Sequence, residues 1–491
     1  MYICGKINLN SFTMNIIGRQ SVIKRLEQVY LSGKSELVAI FGRRRVGKTF
    51  LIRELYQEEW CFYHTGLSPI ETENGKFTTL GLQLQGFASS LRQFGATIEK
   101  TPDNWLEAFD MLTGLLKMHI RKKRCVVFID ELPWMDTERS GFMTAFEHFW
   151  NGWASAQKNI MLIVCGSATS WMEDRLINNK GGLYDRVTCE IHLEPFKLSE
   201  CEEYYRRKGI VMDRYDQLQC HMIMGGIPFY MDGLQKGNSL AQNIDILFFD
   251  KHAQLRNEFE RLFASLFTNH EDCIKVVRLL AERREGFTRK EIAEKTGIPY
   301  GGGLTKLLQS LKASDFITDY TPYNRSTRQQ CYKLVDNFCL FYLKFIENVK
   351  NLSPTFWQDN LLSPKLNAWR GFAFENVCFE HSDKIKAALG ISGVHTEIAP
   401  WRSMESSPAH QIDMVIDRAD RIVNICEMKY SNAEYTITKA YDQELREKVQ
   451  AFIEETHSRK TPHLTMVTTY GLKSNEYSNR IQRSLTLDCL F

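Results

Sequence analysis

Residues 36–49 read ELVAIFGRRRVGKT, an apolar strand running into Gly42-Arg43-Arg44-Arg45-Val46-Gly47-Lys48-Thr49 and leaving through Phe50 into helical sequence. This is G-x-x-x-x-G-K-[ST] set between a strand and a helix, the context that gives the pattern its meaning. Gly42 and Gly47 let the backbone bend so that successive N–H groups turn inward. They form a concave nest for phosphate oxygens, which the helix N-terminus continues. Lys48 is spaced to reach β- and γ-phosphates, and the Thr49 hydroxyl to ligate Mg²⁺. Residues 42–50 therefore read as the cradle of a nucleoside triphosphate, with ATP and Mg²⁺ as the expected ligands and the choice of ATP over GTP left open.

A second apolar run, Cys125-Val126-Val127-Phe128-Ile129, ends in Asp130-Glu131 about 80 residues further on. A fully buried parallel strand would deliver both carboxylates to the carboxyl edge of a sheet, beside the phosphate loop. Asp130 is expected to hold Mg²⁺ and Glu131 to polarise the attacking water. A third run, residues 160–165, leads into Gly166-Ser167-Ala168-Thr169-Ser170, where Ser167 reads either as a γ-phosphate sensor or as part of a plain turn. Arg186, after Asp185, reads either as an arginine finger, in cis or in trans, or as a surface arginine.

The order GRRRVGKT, FIDE, CGSATS and Gly225-Gly226-Ile227-Pro228 resembles the archaeal-type P-loop ATPases of the STAND, AAA-like branch. That resemblance implies an α/β fold, a parallel sheet flanked by helices, with a core at 15–200 and a helical lid at 201–268. Asp185-Arg186 departs from the Gly-Arg common in that family, which bears on the finger role.

At 491 residues the chain is too long for one core. Its 43% hydrophobic and 25% charged residues are ordinary for globular protein. No apolar run reaches the roughly 18 residues that span a bilayer, so a cytoplasmic protein without a membrane partner is expected. The 13 cysteines are scattered, without C-x-x-C pairs, and read as core. A net charge of +3 is too small to imply nucleic acid by itself. Met14 is an alternative start, making residues 1–14 a candidate non-native extension.

Residues 269–346 show three helical segments and a β-hairpin, the order of a winged helix-turn-helix. Between 271 and 335 there are 12 Lys/Arg against 8 Asp/Glu, and Arg325, Arg328 and Lys333 fall on the wing. That suits phosphate contacts to DNA, although the third helix offers no Arg or Asn for base readout, and such modules also serve as protein-docking spacers. Residues 347–366 read as a linker, centred on the stretch from Leu352-Ser353-Pro354 to Leu362-Ser363-Pro364.

In residues 367–491, Asp413 stands in one strand and Glu427-x-Lys429 in the next, with Glu375 on an upstream helix. Pairing Asp413 with Ile425 would make Asp413 and Glu427 diagonal neighbours on one face. Asp413, Glu427 and Glu375 are candidate ligands of a hard divalent cation, with Lys429 orienting the nucleophile or stabilising charge in phosphodiester hydrolysis. An unpaired carboxylate among Ile412, Met414, Val415 and Ile416 would be costly, which argues against an idle solvated face. These residues resemble the PD-(D/E)XK restriction-endonuclease-like superfamily, and the resemblance implies a small mixed sheet flanked by helices. The expected whole is an ATPase whose nucleotide state controls a DNA-binding, nuclease-like tail, as a monomer or homo-oligomer. The alternative is a nucleotide-dependent signalling or regulatory switch whose tail binds DNA or protein without cleaving.

Overall fold

The structure is a computed structural model and describes residues 15–68, 79–119, 124–326, 329–347, 349, 353–403 and 409–491. The candidate extension at 1–14 and Arg328 of the expected wing lie outside the described residues. The chain divides into two compact units, Met1–Pro195 with Ala264–Thr268 and Phe196–Phe263 with Asn269–Phe491.

The first unit is built on five parallel strands: β1 (Glu36–Phe41), β2 (Trp60–Thr65), β3 (Cys125–Asp130), β4 (Ile160–Gly166) and β5 (Cys189–His192), in the order β2-β3-β4-β1-β5. Every residue of β1, β3 and β4 is buried, as a parallel sheet covered on both faces requires. Helices Trp105–Met118 and Phe142–Gly152 supply one covering layer, where Trp105, Phe109, Phe142 and Phe146 pack with β3 and β4 in one core. This is an α/β fold built on a parallel sheet. The order sets the β1, β4 and β3 ends side by side, at the edge where ligands enter open α/β sheets.

In the second unit, helices Leu198–Lys208 and Arg214–Met224 come first. Three further helices, His270–Glu282, Arg289–Thr296 and Gly302–Ala313, accompany a small antiparallel sheet of β6 (Phe287–Thr288), β7 (Ile317–Tyr320) and β8 (Cys331–Leu334), ordered β6-β8-β7. The second of these helices starts at a capping box: Thr288 Oγ1 accepts from the Glu291 amide at 3.3 Å, and Glu291 Oε2 accepts from the Thr288 amide at 2.7 Å.

The C-terminal sheet is mixed. β9 (Thr396–Arg402), β10 (Gln411–Arg418) and β11 (Ile422–Lys429) form an antiparallel meander, and β12 (Thr461–Thr468) and β13 (Arg483–Thr486) add parallel to β11. Helices Pro364–Glu380 and Lys439–Thr456 belong to the same unit.

Part of the expected linker is packed. Trp357, 1% exposed, lies 5.4 Å from Phe341, 5.6 Å from Phe345 and 5.9 Å from Trp369 between ring centroids. Its amide donates to Asp245 Oδ1 at 2.7 Å. Trp357→Ala is expected to cost this unit about 3–5 kcal/mol, read as a lower urea midpoint; an unchanged midpoint would show that the segment contributes nothing to folding.

Candidate functional site

The phosphate loop depends on backbone that glycine allows. Gly42 (φ 131°) and Gly47 (φ 93°) are both in positive-φ conformations, and Arg45 (φ 73°) joins them between. At Gly42 a Cβ would come 2.5 Å from the Leu193 carbonyl oxygen, so the loop passes too close to the chain after β5 for any side chain. Gly47 caps helix Lys48–Tyr56, whose first amides face the loop. Lys48 is buried, its ammonium donating to the Gly42 and Arg43 carbonyls at 2.8 and 2.9 Å. Arg43 and Val46 are buried, Arg44 lies over the Trp134 ring at 5.9 Å, and Phe50 is half exposed.

β3 brings the expected carboxylates to this loop. Thr49 Oγ1 donates to Asp130 Oδ2 at 2.7 Å, so the two groups expected to hold Mg²⁺ already share one position. Their donor set, a hydroxyl and a carboxylate, is what a hard cation takes. Glu131 (φ 48°) follows in a left-handed turn that re-aims its side chain. Burial pushes its carboxyl above the usual glutamate range, with Lys48 opposing and Asp130 reinforcing the shift.

Ser167 does something that neither sequence reading contained. Its amide and hydroxyl both donate to Glu131 Oε2, at 3.1 and 2.9 Å, so it holds the glutamate. The signal was its place at the end of β4, next to β3 in the sheet, but the strand order is not readable locally.

Arg186 is not brought to this site. β5 runs parallel to β1, so residues before β5 lie at the sheet edge opposite the phosphate loop, and Arg186 sits there, exposed. Asp185 takes φ 55°, the left-handed conformation that glycine adopts more readily.

In the second unit the register of the tail hairpin differs from the expected one. Val415, not Asp413, pairs with Ile425, and Met414 pairs with Cys426, a register whose continuation would place Asp413 beside Glu427. A bulge between Ile412 and Val415 against β9 accompanies the shift. Asp413 Oδ2 accepts from the Met428 amide at 2.9 Å. Glu427 is 1% exposed, and among the described residues its Oε1 has no hydrogen-bond partner. Burial and the Asp413 charge push its carboxyl upward. A buried acceptor left open beside a second carboxylate fits a divalent cation. Lys429 lies 3.5 Å from Glu427 Oε2, as the alternation predicts. Two residues the sequence reading passed over, Tyr441 and Lys448, also donate to Glu427 Oε2, both at 2.9 Å. Their i, i+7 spacing on one helix face was the available signal. Glu375 joins the cluster through Arg284, which pairs with both Glu375 and Asp413.

The expected wing is not open for phosphate contacts along its length. Tyr323 packs at a tilt against Phe452, 5.3 Å between ring centroids, and donates to Asp417 at 3.1 Å, so this part of the wing lies against the C-terminal core. Lys333 turns its ammonium over the Phe379 ring at 5.5 Å, and burial with the nearby Arg284 lowers it to about 8. Its place on the wing was a phosphate-contact expectation; the structure gives it a packing role, because β8 faces the Pro364–Glu380 helix there. Among the described residues no helix is long and apolar enough to cross a membrane.

An uncharacterized protein of Methanocaldococcus jannaschii is 25% identical over 368 residues, covering 74% of this chain and 76% of its own length. A Walker-type ATPase of Pyrococcus abyssi shares 19% identity and a TM-score of 0.47, over 67% of this chain and 96% of that one. The ORC2 protein of Aeropyrum pernix shares 15% and a TM-score of 0.38, over 72% and 98%. Residues 17–233, the part of the chain that contains the phosphate loop, Asp130, Glu131 and Ser167, match the model of an ATPase domain found predominantly in Archaea.

Proposed function

We propose that the chain hydrolyses ATP at the phosphate loop and that its nucleotide state controls a metal-dependent tail that cleaves DNA. The observation that carries the first activity is the joining of Thr49, Asp130, Glu131 and Ser167 at one sheet edge. Mg²⁺, when bound to Thr49 and Asp130, supplies charge neutralisation on the β–γ bridge. Lys48 exchanges two backbone carbonyls for phosphate oxygens, the loop amides orient the chain of phosphates, and Glu131 takes the proton of the attacking water. Arg186 can serve a nucleotide only on a second copy, which makes a homo-oligomer the assembly in which a finger would act.

The tail reading rests on Asp413, which accepts from the Met428 amide next to Glu427, and on Glu427 Oε1, which has no hydrogen-bond partner among the described residues. A divalent cation there supplies Lewis-acid activation of a phosphodiester. Glu375, Asp413 and Glu427 hold it, and Lys429 stabilises charge at the phosphate. The other reading, a nucleotide-dependent regulatory switch with a tail that binds without cleaving, is favoured by the cations already placed on these carboxylates: Arg284, Lys429 and Lys448.

The test is cleavage of linear, nicked and single-stranded DNA with Mg²⁺ or Mn²⁺, with and without ATP, by the intact protein and Glu427→Ala. Metal-dependent cutting that disappears in the variant is expected, and its response to ATP reads the control. Equal inertness of both proteins on every substrate would put the switch first.

A further inference from the structure

The tail carboxylates already hold a cation supplied by the chain itself. Arg284 lies just after helix His270–Glu282, in the turn that leads into β6, more than a hundred residues before Asp413. One nitrogen of its guanidinium, Nη2, pairs with Glu375 and also with Asp413 Oδ1, the latter at 3.3 Å. Both carboxylates are little exposed, Glu375 at 12% and Asp413 at 9% of their side chains, so the pairing is weakly screened by solvent. The guanidinium lies over the Phe372 ring, 4.7 Å from its centroid.

The turn that presents Arg284 is pinned. Gly286 (φ 72°) lies so close to β8 that a Cβ would meet the Tyr332 carbonyl oxygen at 1.9 Å. Arg283 holds the other side, pairing with Glu291 at 3.0 Å. Glu285 reaches across to Arg402 of β9 at 3.6 Å. The backbone is fixed, and the long side chain is what can leave.

A divalent cation needs the oxygens that Arg284 covers, because hard cations take several carboxylate oxygens at once. Yet the arginine does not complete the site, since Glu427 Oε1 remains buried without a partner among the described residues. We propose that Arg284 is an internal competitor for the divalent cation of the tail: with its guanidinium between Glu375 and Asp413 the metal is excluded, and its withdrawal opens the site. The proposal rests on the reading of Asp413, Glu427 and Glu375 as a metal site. It makes the Arg284 side chain a switch: the guanidinium swinging off Glu375 and Asp413, while the 283–286 turn stays in place, would arm the tail.

The test is calorimetric titration of Mn²⁺ into the intact, nucleotide-free protein, for wild type, Arg284→Gln, Phe372→Ala and Glu427→Ala. If the plugged state outweighs the open one by about ten to one, Arg284→Gln binds Mn²⁺ about tenfold more tightly. Phe372→Ala removes only the ring under the guanidinium, leaves every carboxylate in place, and is expected to shift affinity the same way by a smaller factor. It also keeps the test open if Arg284→Gln fails to fold. Unchanged affinity in both Arg284→Gln and Phe372→Ala, with binding still lost in Glu427→Ala, would overturn the competitor while leaving the metal site standing. No binding by any variant would overturn both.

Discussion

Lys48→Ala is expected to abolish ATP hydrolysis, lowering kcat by about 10³-fold in a phosphate-release assay, the scale of losing a charged group aimed at the transferring phosphoryl. Among the described residues the ammonium donates to the Gly42 and Arg43 carbonyls, at 2.8 and 2.9 Å. Both belong to the loop that would wrap the phosphates, so the lysine is stored where it is needed and only its partners change when nucleotide arrives. Alanine removes the charge and also unties the loop, which leaves two carbonyls without their buried donor. The variant should therefore lose some nucleotide affinity as well as turnover. Unaltered turnover would sink the assignment of residues 42–50 as the hydrolytic site.

The parts of the molecule legible in the sequence are those whose geometry is local. In residues 36–56 the strand, the loop and the helix are contiguous, so residue types fix the φ values that Gly42 and Gly47 then show. Asp130 is legible for a related reason: an apolar run long enough to be a buried strand must end somewhere, and its first carboxylate marks the sheet edge. The capping box at Thr288 and Glu291 is a four-residue signal.

What was not legible depends on pairing between distant segments. The β10–β11 register differs from the expected one by two residues because the turn between the strands fixes it, pairing Val415 with Ile425 and Asp417 with Val423, whereas a slip of two residues leaves the side-chain alternation unchanged. Ser167 could not be connected to Glu131 without knowing that β4 lies beside β3. Lys333 carries the same charge whether it faces solvent or the Phe379 ring, so composition alone sends it outward. Arg284 sits in the run Glu282-Arg283-Arg284-Glu285, where nothing local points to a partner, and its carboxylates come from a helix and a strand far along the chain.

Glu131→Gln is the variant that separates chemistry from binding. The amide oxygen of glutamine can accept from the Ser167 amide and hydroxyl as Glu131 Oε2 does now, at 3.1 and 2.9 Å, so the side chain keeps its volume and its anchor. Thr49, Asp130 and Lys48 are untouched, and with them the groups that hold nucleotide and Mg²⁺. What is lost is the lone pair basic enough to take a proton from water. Turnover should fall by about 10²–10⁴-fold, the usual contribution of a positioned general base, while ATP affinity by equilibrium titration stays within a few-fold of wild type. The variant should then be isolated with uncleaved ATP bound. Because Ser167 holds the glutamate through Oε2, the other oxygen is the one free to meet water, and Ser167→Ala in the same assay would loosen that aim without removing the base. Wild-type turnover in Glu131→Gln would move the proton-accepting role away from β3 altogether; a joint loss of turnover and affinity would show that the glutamate supports the nucleotide site itself, with its negative charge balancing Lys48 across the loop.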